Sequence, residues 1–253
     1  MNDTLTVGSV TLSGNLVVLD CNDDDAPEPD YEAISVPGRS GDLHIWNERW
    51  KNKLITYHCM CTDNARTAVP ALLTQLLAQY GYQRITDTLH TDYYKMGEYV
   101  GATTPVYSDG GKTARFDLTF DCKPQKWLLS GDSYQALASD STTTLTSPST
   151  HKAYPIIRVE GSGQIRIQNT TSTPYLDFTL TSSGYADPAS VVLWDYYFNC
   201  ELMDATKSET GVSNQNSHIT LGSTEQICLG PGNNRITVAS TLRAEIKPRW
   251  YKL

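Results

Sequence analysis

Two short stretches hold residue types that could do chemistry. The first is CNDDDAPEPDYE, residues 21–32, where Asp23, Asp24, Asp25, Glu28 and Asp30 crowd together between two prolines. Asp20, Asn22 and Asp24 repeat the alternate spacing with which an EF-hand loop opens, which would make calcium the chemistry. However, Asp25 stands where that loop requires glycine and Tyr31 where it requires its bidentate glutamate, so the cage does not close. The run reads as an exposed acidic loop. The second is Gly38-Arg39-Ser40-Gly41, which has the glycines of a phosphate cradle. It lacks the Lys-Ser/Thr ending and the following helix that would aim backbone N–H groups at a phosphate. It reads as a chain reversal whose Arg39 carries a fork suited to a carboxylate, either its own or a neighbour's.

The other nucleophiles and metal ligands form no working arrangement. Cys59 and Cys61 place both thiols on one strand face without a second pair at zinc spacing, and the six cysteines are scattered as in a reduced core. The five histidines make no H-E-x-x-H pattern, and no G-x-S-x-G elbow presents a serine. The sequence therefore predicts no catalytic residue, no metal and no cofactor. A sugar-stacking platform is the competing idea, with Trp194, Tyr196 and Tyr197 in VVLWDYYF as its rings, although strand alternation splits Tyr197 from the other two.

Charge narrows the field. A net charge of −8 sets the whole molecule's field against gripping DNA phosphates. Neither a secretory leader nor an apolar run of membrane length is found, so the expectation is a soluble chain made in a cytoplasm.

The elements that must position these residues are mostly strands. NLVVLD reads as a buried strand, and LITYHCMC alternates so cleanly that it is expected to be covered on both faces. One helix is predicted over Asn64 to Tyr80 from Val69, Leu72, Leu73, Leu76, Leu77 and Tyr80, with Pro70 in or near its first turn and Gly81 as its stop. YQRITD and DYYKMGEY form a strand pair. ARFDLTFDCKP turns Phe116, Leu118, Phe120 and Cys122 inward.

Residues 131–150 are poor in large apolar side chains and are assigned as a linker or edge segment between domains at 1–130 and 151–253. The second domain is read as a series of short strands, two of them about Gly161-Ser162-Gly163 and two about the Gly-Pro-Gly-Asn turn at 230–233. The fold class is mainly β, a sandwich-like domain with one helix followed by an antiparallel β-sandwich.

The succession of these pieces resembles a known family. VVLDCNDDD, VPGRSGDL, ERWKNKLITYHC, one helix and FDLTFDCKPQKW together look like the N-terminal domain of distal tail proteins of long non-contractile-tailed phages and prophages. YPIIRVEGSGQIRI with LGPGNNRITV and IKPRWY is similar to that family's C-terminal galectin-like sandwich. The resemblance implies a structural component of the virion tail tip, a homohexameric ring joining tail tube to tip with a channel for DNA. It also implies as partners the tube protein, a lysin-like hub protein, the tape measure and receptor-binding proteins.

Arg39, Asp42, Trp46, Arg49 and Trp50 have the aromatic and arginine-bearing composition of an interface centre. Asp23, Asp24, Asp25, Glu28 and Asp30 are expected to face the channel, where they would repel phosphate. The sugar-binding residues of galectins cannot be assembled here, so the galectin likeness is one of fold only. A carbohydrate-binding surface module is the alternative function.

Overall fold

The computed structural model describes residues 3–169, 176–180, 196–206, 214–221 and 226–253. It divides into two compact units, one reaching to Lys126 and including Leu253, the other Trp127–Lys252.

The first unit runs β1 (Leu5–Val7), β2 (Val10–Leu12), β3 (Leu16–Cys21), β4 (Pro29–Ile34), β5 (Leu43–Trp50), β6 (Lys53–Cys61), α1 (Ala65–Leu77), β7 (Gln83–Asp87), β8 (Tyr93–Tyr99), β9 (Val106–Ser108) and β10 (Thr113–Cys122). An antiparallel sheet orders them β2-β1-β7-β8-β10-β6-β3, with β9 along β10, while β4 and β5 pair, among the described strands, only with each other. Its spine is the β6–β10 ladder, in register from Ala114 opposite Cys61 to Cys122 opposite Lys53. The strand period of two puts Ile55, Tyr57, Cys59 and Cys61 on the same face as Phe116, Leu118, Phe120 and Cys122, and all eight are buried. Val69, Leu72 and Leu76 of α1 close over that face.

Three sequence expectations need correcting here. The helix ends at Leu77, and Leu77 and Tyr80 are exposed, so the apolar stripe is narrower than its periodicity suggested. Pro70 is not in the first turn; as the sixth helical residue it removes the N–H that would have reached the carbonyl of Arg66. Nor is β6 covered on both faces. Leu54 is 61% exposed, and the His58 side chain stands in solvent beside Asp117. The reason lies on the partner strand, where Arg115, Asp117, Thr119 and Asp121 share the outer face and would have to be stripped of water by any cover.

The strand β11 (Lys126–Leu128) carries the chain across the boundary. The second unit holds β12 (Gln135–Leu137), β13 (Ser141–Ser147), β14 (Ile156–Gly161), β15 (Gly163–Asn169), β16 (Leu176–Leu180), β17 (Tyr196–Asn199), β18 (Asp204–Thr206), β19 (Ile219–Leu221), β20 (Gly232–Val238), β21 (Leu242–Lys247) and β22 (Tyr251–Lys252). Two antiparallel sheets, β12-β21-β14-β17-β18 and β13-β20-β15-β16-β19, turn alternate apolar residues toward a common core. Ile157, Val159 and Ile246 come from the first, Ile165, Ile167, Ile236 and Val238 from the second. The Ser/Thr-rich stretch supplies an edge strand to each sheet, because Thr side chains suit a half-wet edge: Thr142 bonds Thr237 at 3.0 Å and Thr146 donates to Asn233 at 2.7 Å.

Gly161-Ser162-Gly163 does not make a hairpin. β14 pairs β17 and β21 while β15 pairs β16 and β20, so the chain crosses there from one sheet to the other. Gly161 has φ 98°, and a Cβ on it would meet the Thr241 carbonyl at 2.7 Å; glycine is what permits the crossing. At the second turn, Gly232 opens β20, but the described residues just before it, 226–231, contribute only an isolated bridge between Ala153 and Leu229, not a partner strand for β20.

Candidate functional site

The β4–β5 hairpin carries every residue assigned from sequence to an interface. Its turn is built by Gly38 (φ 79°) and Gly41 (φ 83°), with the Arg39 N–H bonded to the Val36 carbonyl at 3.2 Å. At the other end Asp30 pairs with Arg49 but Tyr31 with Trp46, so the chain bulges at Asn47 and Glu48, the latter at φ 55°. The bulge brings the Trp46 indole N–H onto the Arg49 carbonyl at 3.3 Å and sets Trp46 edge-on to Trp50, centroids 6.2 Å apart. Arg49 completes this base with an ion pair to Asp30 at 2.8 Å.

Trp46, Arg49 and Trp50 thus form one group, whereas Arg39 and Asp42 sit apart at the tip, where no ion pair reaches them among the described residues. Both faces of the ribbon expose apolar surface. Tyr31 stacks on His44 on one side with Trp46 beside them, and Ile34, Leu43 and Ile45 lie on the other. A two-stranded ribbon has nothing of its own to bury such faces against.

The acidic loop separates into two kinds of residue, and Asp23 corrects the expectation that the whole run faces solvent or a channel. Asp23 is buried where β3 leaves the sheet, and three lysines converge on it. Lys95 Nζ lies 2.9 Å from its Oδ2, with Lys126 at 3.1 Å and Lys53 at 3.4 Å from Oδ1, and both Lys53 and Lys126 also donate to its backbone carbonyl. Tyr93 donates to Asp23 Oδ2 at 2.7 Å. Lys95 is shared with Asp87 at 3.0 Å, which in turn accepts from the Tyr57 hydroxyl at 2.7 Å and is held by His90.

Burial alone would raise the Asp23 pKa, but the charge and hydrogen bond of Lys95, the Tyr93 hydroxyl and Lys126 outweigh it and bring the carboxyl down to about 2. The same opposition lowers Asp87, and the two carboxylates overcome burial to raise Lys95. Two acids, lysines and tyrosines in contact resemble acid–base machinery, yet the side chains of Lys95, Asp23 and Asp87 are at most 1% accessible, so a substrate has no way in. Three distant lysines gave the sequence no local signal for this knot. Of the remaining acids, Asp24, Asp25 and Glu28 are exposed and Asp30 is tied to Arg49.

The outer face of β6 and β10 forms a shallow groove of about 570 Å³, with Leu54, Val100 and Val106 exposed beside Arg115, Thr103 and Thr119. The His58–Asp117 pair at 2.8 Å lies on the same face. In the second unit, Tyr197 is half-buried and edge-on to Tyr134, and Trp194 lies outside the described residues. The described residues bring no three His, Cys, Asp or Glu side chains together as a metal site, and all six cysteines are free thiols.

No family model matches the chain, and no curated protein does. Solved structures do. SPP1 Dit (gp 19.1), described as a paradigm of the hub adsorption apparatus in Gram-positive infecting phages, superposes with a TM-score of 0.67 over 96% of this chain and 97% of its own, at 13% identity. A chain of the phage p2 baseplate in its activated conformation gives 0.52 at 10% identity, again over 96% and 97%. Superposition over nearly the whole of both chains identifies the fold: this chain is built like a phage distal tail protein of the Dit type.

Proposed function

We propose that the chain is a structural hub of a phage tail tip: a homohexameric ring that joins the tail tube to tip and receptor-binding proteins and leaves a channel for DNA. The observation that carries this reading is the β4–β5 hairpin, which pairs with no other described strand and exposes Tyr31, Ile34, Leu43, Ile45 and Trp46. An arm of this kind finds its burial on a different surface of the next copy, and repeated head-to-tail contacts about an axis close into a ring. Trp46, Arg49 and Trp50 are the anchor of that contact, with Arg39 and Asp42 reaching the neighbour from the tip.

The partners follow from the place in the tail: tube protein on one side, a lysin-like hub protein and the tape measure on the other. Asp24, Asp25 and Glu28, repeated around the axis, give a wall that phosphate slides past without binding. The work requires no bond made or broken and no cofactor, in keeping with the structural neighbours being components of adsorption hubs and baseplates. Synthesis in the host cytoplasm fits a chain with no described helix long and apolar enough to cross a membrane.

Immunogold labelling of the virions with antibody to this chain should decorate the end of the tail. Gold on the capsid, or along the whole tube, would overturn the assignment.

A further inference from the structure

The outer face of β6 and β10 presents a preformed concavity that is largely apolar and carries one uncommitted charge. Its wall is fixed: the Val100 N–H donates to the Thr119 carbonyl at 3.0 Å and the Thr103 hydroxyl to the Asp117 carbonyl at 2.6 Å, which straps residues 100–104 along the strand. Leu54, Val100 and Val106 are exposed around it. Its polar side chains are mostly served already, Asp117 by His58 at 2.8 Å and Thr119 by Thr56 at 3.0 Å, so a cover would not have to strip them unpaired. Arg115, opposite Val106 in register, is exposed and has no ion-pair partner among the described residues.

The β4–β5 arm carries a matching surface. Register puts Glu32 opposite Ile45 and Ile34 opposite Leu43, so these four side chains share one face of the ribbon, and all four are exposed. Glu32 also has no ion-pair partner among the described residues. Three aliphatic side chains and an acid on the arm answer three aliphatic side chains and an arginine in the groove. Within one chain the two surfaces stay apart, and the root of the arm holds them so. Only Lys51 and Asn52 separate β5 from β6, the Lys51 N–H donates to the Glu28 carbonyl at 2.8 Å, and Lys53 Nζ donates to the Asp23 carbonyl at 2.9 Å. A second copy is the occupant that joins them.

We propose that the groove is the seat of the next copy's arm, which lays Ile34, Leu43 and Ile45 on Leu54, Val100 and Val106 and brings Glu32 to Arg115. Arm and groove are different patches of one chain, so the contact is head-to-tail, and an arginine at the centre of an apolar patch is the composition such contacts favour. The inference rests on the ring reading above and names the surface that receives the arm.

The test is sedimentation velocity over a dilution series on Glu32→Arg, Arg115→Glu and the double variant. Each single reversal should raise the concentration needed for assembly by about tenfold or more with the circular dichroism unchanged. The double variant should recover most of that loss, because every contact regains one acid and one arginine. Lys152→Glu, which shifts the net charge as Arg115→Glu does but lies in the second unit, should assemble as the wild type does. A wild type that assembles while Arg115→Glu assembles equally well overturns the groove and leaves the ring standing. A double variant no better than the single ones, or an equal loss in Lys152→Glu, also overturns it. A wild type that stays single at every concentration overturns this inference together with the ring.

Discussion

Replacing Asp23 with alanine should lower the unfolding free energy of the first unit by about 3–5 kcal/mol, the cost of leaving buried charge without its partner. Lys95 is 1% exposed and loses one of its two carboxylates, while Lys53 and Lys126 lose the oxygen that justified their partial burial. Denaturant midpoints read the effect, and a loss under about 1 kcal/mol would show the knot to be incidental. Acid should reproduce it in the wild type. The folded carboxyl titrates near 2 instead of near 3.8, so its contribution is whole above about pH 4 and disappears as the pH falls toward 2; Asp87, also lowered, adds with the same sign. The acid-induced loss over that window should be smaller in Asp23→Ala.

The second large effect concerns assembly and leaves folding alone. Ile45→Glu combined with Trp46→Glu puts two charges on an arm whose side chains are 46% and 54% exposed, so the subunit's own stability should change by less than about 1 kcal/mol. Each interface in the ring would lose an aromatic anchor and an aliphatic contact, and interface anchors are worth about 2–4 kcal/mol apiece. The concentration needed for assembly should therefore rise by more than about a hundredfold. Sedimentation velocity across a dilution series measures it, and a variant that assembles at the wild-type concentration would remove the hairpin from the interface.

How far the sequence could be read depends on where each signal lies. The β10 alternation named the buried face correctly, with Phe116, Leu118, Phe120 and Cys122 inward, because a strand's two faces are written in adjacent residues. Alternation in β6 could not say that its outer face stays wet in the subunit, which is decided by Arg115 and Asp117 on a strand that joins only in the fold. Asp23 looked like Asp24 and Asp25 because its partners Lys53, Lys95 and Lys126 lie 30, 72 and 103 residues away.

Gly161-Ser162-Gly163 looked like a hairpin turn, since a two-sheet crossing and a tight reversal ask for the same small residues. The grouping of side chains on the β4–β5 hairpin was half legible. The composition of Trp46, Arg49 and Trp50 marked them, but the bulge at Asn47 and Glu48 that packs them together, and that leaves Arg39 and Asp42 at the far end, is a matter of register.

If head-to-tail contacts about an axis are what this chain does, native mass spectrometry of the purified protein over a range of concentrations should show a dominant species at six times the 28.0 kDa subunit mass; a single subunit at every concentration would rule such contacts out.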